Sequence, residues 1–145
     1  MFTTPEEDLA QILASPQYWM DKAKALRASA AAIWYWMDSD PPLDLSSALA
    51  TDPAILNTGT WYVYRMLCGM SLELAYKASL AMGQKIKATH DLSWLADQVF
   101  PNVSRKERGL LELLTVHSLG RALSRPERSI ISGIFRLSFV RESLS

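Results

Sequence analysis

Cysteine and histidine are scarce in this 145-residue chain, which has one cysteine, Cys68, and two histidines, His90 and His117. A single cysteine excludes a disulfide framework and a metal site built on several thiolates. Two histidines leave little material for a zinc site, so we expect neither a metal nor a cofactor. No pair of basic residues adjoins Cys68 to lower its pKa, so we expect an apolar filler, not a nucleophile.

Long uncharged runs and a net charge are also lacking. Fifteen basic and fifteen acidic residues cancel, and no uncharged stretch exceeds 12 residues, which is too short to cross a bilayer. The beginning of the sequence is acidic, unlike a signal or transit peptide, so we expect a cytoplasmic protein that does not enter membranes. With 49% hydrophobic and 21% charged residues, the composition is that of an ordinary globular domain.

The charges are unevenly distributed along the chain. Residues 1–60 hold eight acids and three bases, whereas residues 101–145 hold eight bases and four acids. One interpretation is variation among solvated helix faces. The other is a basic C-terminal surface for phosphate or for an acidic partner.

No segment has the alternating pattern of a strand, and apolar residues recur instead at intervals of three and four. The sequence therefore predicts an all-α fold, an antiparallel bundle of about five main helices. We divide it into an N-terminal helix and cap at 1–15 and a bundle at 16–145. The predicted helices lie at about 5–14, 16–38, 44–51, 57–82, 89–99, 105–121 and 126–142.

Capping signals support several of these helix starts. Thr4 with Glu7 and Ser104 with Glu107 have the spacing of capping boxes. Proline follows a capping residue at Ser15-Pro16 and at Asp52-Pro53. The stretch Asn57-Thr58-Gly59-Thr60 is the weakest point of the long central segment, and we expect a loop or a frayed helix start there.

Familiar catalytic motifs are missing, including HExxH, CxxC, GxSxG and the phosphate-binding GxxxxGK[ST]. The remaining candidate for chemistry is a basic face with one histidine, formed by Arg108, His117, Arg121 and Arg125. Such a face could bind phosphate or RNA, and His117 with Arg121 could move a proton and stabilise charge on phosphorus. The alternative is a half-buried histidine with arginines that extend to water.

Aromatic residues cluster at Trp34-Tyr35-Trp36 and at Trp61-Tyr62 with Tyr64. Neighbours on a helix point about 100° apart, so they cannot all face one core. We expect Trp34, Trp36, Trp61 and Tyr64 to form a subunit or partner interface. A plain core and a stacking site for a ligand are the alternatives.

Residues 66–78 (MLCGMSLELAYKA), a glycine-containing spacer at 83–87 and the sequence Thr89-His90-Asp91-Leu92 resemble the HEPN-type helical domain. Residues 18–27 and 110–121 are similar to further helices of that family, so the likeness covers about 16–142. In this motif Thr89 is expected to cap the helix, with Asp91 in its first turn. We expect Arg65 and Glu73 on the solvated flank of the central helix.

The resemblance implies a homodimer. Some members are ribonucleases of toxin–antitoxin systems, and others accompany a nucleotidyltransferase or bind RNA or nucleotides. Nuclease members carry an arginine and a histidine at short spacing. Here eight residues separate Arg108 from His117, which is more than that spacing allows.

Our leading hypothesis is therefore a non-catalytic HEPN-like binding or regulatory module. It would act with a nucleotidyltransferase or an antitoxin partner, or bind RNA or nucleotide phosphate. The alternatives are a degenerate-motif, metal-independent endoribonuclease and a structural protein-interaction bundle.

Overall fold

The structure is a computed structural model that describes residues 4–38, 45–82 and 87–115. These residues form helices and no strand, in agreement with the all-α prediction. The helices are α1 (Pro5–Leu13), α2 (Pro16–Met37), α3 (Leu45–Ala48), α4 (Pro53–Leu80), α5 (Leu92–Val99) and α6 (Arg105–Leu114). The helix predicted at 126–142 lies outside the described residues.

Both predicted capping boxes are present. In each box the capping hydroxyl accepts the backbone N–H of a glutamate, and the glutamate carboxylate accepts the backbone N–H of the capping residue. The pairs are Thr4 with Glu7 and Ser104 with Glu107. The two glutamates therefore close the first turns of α1 and α6 in the same way.

Three of the predicted helix boundaries are wrong. The central helix begins at Pro53, because Asp52 accepts the backbone N–H of Ala54 and caps it. The stretch expected to be a loop, 57–60, is helical. Asp91, not Thr89, caps α5 by accepting the backbone N–H of Trp94. The helix expected at 105–121 ends at Leu114, where Thr115 has extended backbone angles.

The central helix α4 packs against three others. Ser71 of α4 donates a hydrogen bond to the carbonyl of Ala23, and Trp61 meets Trp34, so α2 and α4 run antiparallel. Close approach is possible because α2 buries the small residues Ala23 and Ala30 against it. The core is then completed from α5 and α6 by buried leucines, namely Leu92, Leu95, Leu111 and Leu114.

The N-terminal helix lies apart from this core. No residue of α1 is buried, and Leu9 is 56% exposed. One hydrogen bond joins α1 to the next helix, since the indole N–H of Trp19 donates to the carbonyl of Leu13. The division at residue 15 remains a prediction, and the exposure of α1 is compatible with it.

Candidate functional site

Of the four residues predicted for phosphate contact, the structure describes Arg108. Its guanidinium makes two parallel hydrogen bonds of 2.8 Å to the carboxylate of Asp97, which ties α6 to α5. The bonds from Arg108 hold the pKa of Asp97 below its ordinary value, and Asp97 raises the pKa of Arg108. This cation is already paired. The remaining candidates, His117, Arg121 and Arg125, lie outside the described residues, so the basic face stays a prediction.

The aromatic residues predicted at an interface pack largely within the chain. The rings of Trp34, Trp61 and Tyr64 contact one another, with centroids 5.8 to 6.1 Å apart. Tyr64 is 1% exposed, so its side chain belongs to the core of one subunit and the interface assigned to it is corrected. Trp34, Trp36 and Trp61 are half-buried, and their interface role remains a prediction.

The neighbours of these rings are the exposed aromatics. Tyr35 is 80% exposed on α2 and Tyr62 is 48% exposed on α4. This is the outcome that the angle between consecutive helical residues requires, because the core takes one neighbour and leaves the next outside. The argument that some aromatics must be exposed is therefore confirmed, although it did not say which ones.

Exposed apolar residues form a surface along the first part of α4, which we call the α4 face. They are Ile55, Tyr62, Val63 and Met70, with the half-buried Met66 among them. At about 100° per residue, these positions share one side of the helix, roughly opposite Tyr64 and Ser71. The side that packs on α2 is thus the second of two apolar sides of the same helix.

Buried charges lie toward the end of α4, where we expected solvated ones. Glu73 is 6% exposed and Arg65 is 2% exposed, so the placement of both on a solvated flank was wrong. The side chain of Arg65 donates to the backbone carbonyl of Leu113, at the end of α6. A buried guanidinium bonded to a helix-end carbonyl is favourable in charge, because that end of a helix is negative.

Glu73 is the centre of a cluster that we call the Glu73 cluster, formed by Glu73, Lys77, His90 and Trp19. Lys77 donates to Glu73 over 2.6 Å and lies 5.9 Å from the ring centroid of Trp19. His90 Nδ1 lies 2.9 and 3.1 Å from the two oxygens of the same carboxylate. The spacing of Glu73 and Lys77, four residues apart, was the one sequence signal for this pair.

The cluster gives His90 a fixed orientation. Its side chain is 71% exposed while Glu73 is buried beneath it. With the proton on Nδ1 donated to Glu73, the lone pair of Nε2 is directed to solvent. Such an imidazole can accept a proton or bind an incoming group, which is chemistry that we had not assigned to this histidine.

Cys68 has the opposite character. It is fully buried, and burial raises the pKa of its thiol to about 12. A thiol this far from ionisation is not a nucleophile at neutral pH, as we predicted.

The described residues thus define an all-α protein in which three helices pack around α4. None of its described helices combines the length and apolar composition that a membrane span needs. Comparison with the models of protein families, with curated proteins and with solved structures gives no match.

Proposed function

We propose that the chain is a non-catalytic, HEPN-like binding module that forms a homodimer and contacts a partner protein of the nucleotidyltransferase or antitoxin class. The observation that carries the proposal is the α4 face. Its exposed apolar residues lie on a helix that already has a core side, and contiguous exposed apolar surface is typical of protein contacts.

Protein contact is favoured over phosphate contact by the charges. The guanidinium of Arg108 is neutralised by Asp97, and Arg65 is buried. Residues 53–64 of α4 carry no charge at all. A surface without cations gains nothing from the release of counterions, which supplies most of the free energy of nonspecific RNA binding.

The dimer is tested by substituting Tyr62 with glutamate. We expect the wild-type chain to elute from size exclusion as a dimer with twice the mass of 16.3 kDa by light scattering. Tyr62→Glu should be monomeric, because a charge would be buried without a partner. Tyr35→Glu is the matched control on α2, and it should remain dimeric. A monomeric wild type, or a dimer that survives Tyr62→Glu, would contradict the proposal.

A second candidate is the metal-independent endoribonuclease with a degenerate motif. The observation that favours it is the geometry of His90, whose Nδ1 is held by the buried Glu73 and whose Nε2 can face solvent. In such a reaction His90 would act as the proton-transfer residue, in place of the predicted His117.

Incubation with a mixed RNA pool, with and without a divalent metal, separates the two candidates. Under the leading proposal the RNA stays intact with the wild type. Cleavage that is lost in His90→Ala and kept in His117→Ala and Arg121→Ala would establish the second candidate with His90 as its catalytic residue. Cleavage lost in the latter two variants would instead restore the basic face as the active site.

A further inference from the structure

A cavity of about 350 Å³ lies between the second half of α4, the segment after α5, and α6. Its walls are almost entirely apolar. They are formed chiefly by Leu72, Tyr76, Phe100, Val103, Leu110 and Leu114. The rings of Tyr76 and Phe100 meet edge to face, 5.9 Å apart, and make one wall rigid. The volume falls in the lower part of the range for small-molecule pockets, about 300–1,000 Å³.

One ionisable acid, Glu107, belongs to the described lining of this cavity. It is exposed and lies on the same face of α6 as Leu110, Leu111 and Leu114, three, four and seven residues later. The capping box fixes its carboxylate, because one oxygen accepts the backbone N–H of Ser104 over 2.8 Å. The other oxygen has no bond in the capping box and can accept a further donor.

The protonation states at this end of the cavity follow from the surroundings. The hydrogen bonds from Ser104 lower the pKa of Glu107, so the carboxylate is ionised at neutral pH. Burial and the charge of Glu107 raise the pKa of Tyr76, so its hydroxyl keeps its proton. The cavity therefore combines an apolar interior with a single negative charge at one edge.

We propose that this cavity binds a small primary amine, whose hydrocarbon chain fills the apolar interior and whose ammonium group pairs with Glu107. The sign of the charge follows from Glu107, which repels a carboxylate or a phosphate. A single cation is favoured over a diamine, because the second ammonium would enter an apolar space without a partner. Most of the affinity comes from the chain, since Glu107 is exposed and water screens its charge.

Calorimetric titration of the whole chain with butylamine, hexylamine, hexanol and hexanoate tests the ligand class. Binding should strengthen by about fourfold for each methylene added from butylamine to hexylamine. Hexylamine should bind about two- to fivefold more tightly than hexanol, and hexanoate should bind most weakly. Absence of saturable binding, or equal affinity for the amine and the carboxylate, overturns the proposal.

The role of the charge is tested by Glu107→Gln. Glutamine also serves in a capping box, so this variant removes the charge and keeps the helix start. It should weaken hexylamine binding by about two- to fivefold and leave hexanol binding unchanged. Glu7→Gln makes the same change in the capping box of α1, far from the cavity lining, and should leave both affinities unchanged.

The place of binding is tested by Leu110→Trp, in which a larger ring would occupy the cavity. We expect loss of hexylamine binding with a retained cooperative thermal transition. Hexylamine binding that persists unchanged in this folded variant would put the amine elsewhere and overturn the proposal. Neither result depends on the oligomeric state, which the experiment on Tyr62 measures.

Discussion

Gly69 marks the closest approach between two helices in the described part of the chain. A Cβ atom built at this position would overlap the carbonyl oxygen of Leu114, at the end of α6. A backbone oxygen cannot move aside as a flexible side chain can, so glycine is required for the packing and not for its conformational freedom. The sequence indicated close packing at Gly69 and equally at Gly109, but Gly109 has open space beside it.

Replacement of Gly69 by alanine should lower the free energy of unfolding by about 1–3 kcal/mol. The overlap with Leu114 outweighs the better helix propensity of alanine, which is worth about 1 kcal/mol. The matched control is Gly109→Ala, which meets no atom and should raise the free energy of unfolding by about 0.5–1 kcal/mol. Urea denaturation measures both values, and a gain in stability for Gly69→Ala would contradict the packing.

At the scale of the helices, the sequence predicted starts better than burial. The capping boxes of α1 and α6 depend on residues three apart, so they can be recognised locally. The start of α4 at Pro53 was also visible, in Asp52-Pro53, but Gly59 and Thr60 drew attention away from it. Thr60 is accommodated in the helix because its hydroxyl donates to the carbonyl of Leu56.

The burial of Glu73 and Arg65 could not be predicted from the periodicity of α4. The covering residues come from elsewhere in the chain, with His90 before α5 and Leu113 at the end of α6. Because α5 and α6 pack only on the second half of α4, the same angular positions are exposed near Ile55 and covered near Glu73. The candidate site depends on these long-range contacts, so most of it was missed.

Lys77→Met should lower the free energy of unfolding by about 3 kcal/mol, because it leaves the buried carboxylate of Glu73 with only His90 as a charged partner in the cluster. Methionine keeps the length of the side chain beside Trp19, so the effect reports on charge more than on packing. Chemical denaturation gives the value. The double variant Glu73→Met with Lys77→Met should cost less than Lys77→Met alone, and an additive loss would show that the pair is not coupled.

For the whole molecule, the way α4 is covered links the fold to the proposed functions. One side of α4 packs along α2, and its second half meets α5 and α6, which also form the amine cavity. Its first half presents the α4 face to solvent. The contact surface and the cavity thus lie at opposite ends of one helix, and each can be altered without changing the other.

The N-terminal helix should be dispensable for this arrangement. Deletion of residues 1–14 removes no buried residue, and Ser15 remains to cap α2. The principal loss is the hydrogen bond from Trp19 to the carbonyl of Leu13, so we expect the free energy of unfolding to fall by about 1–2 kcal/mol. Trp19→Phe in the whole chain isolates that bond and should account for about half of the loss. Circular dichroism during urea denaturation should still show a single cooperative transition, and a non-cooperative transition after the deletion would place α1 within the folding unit.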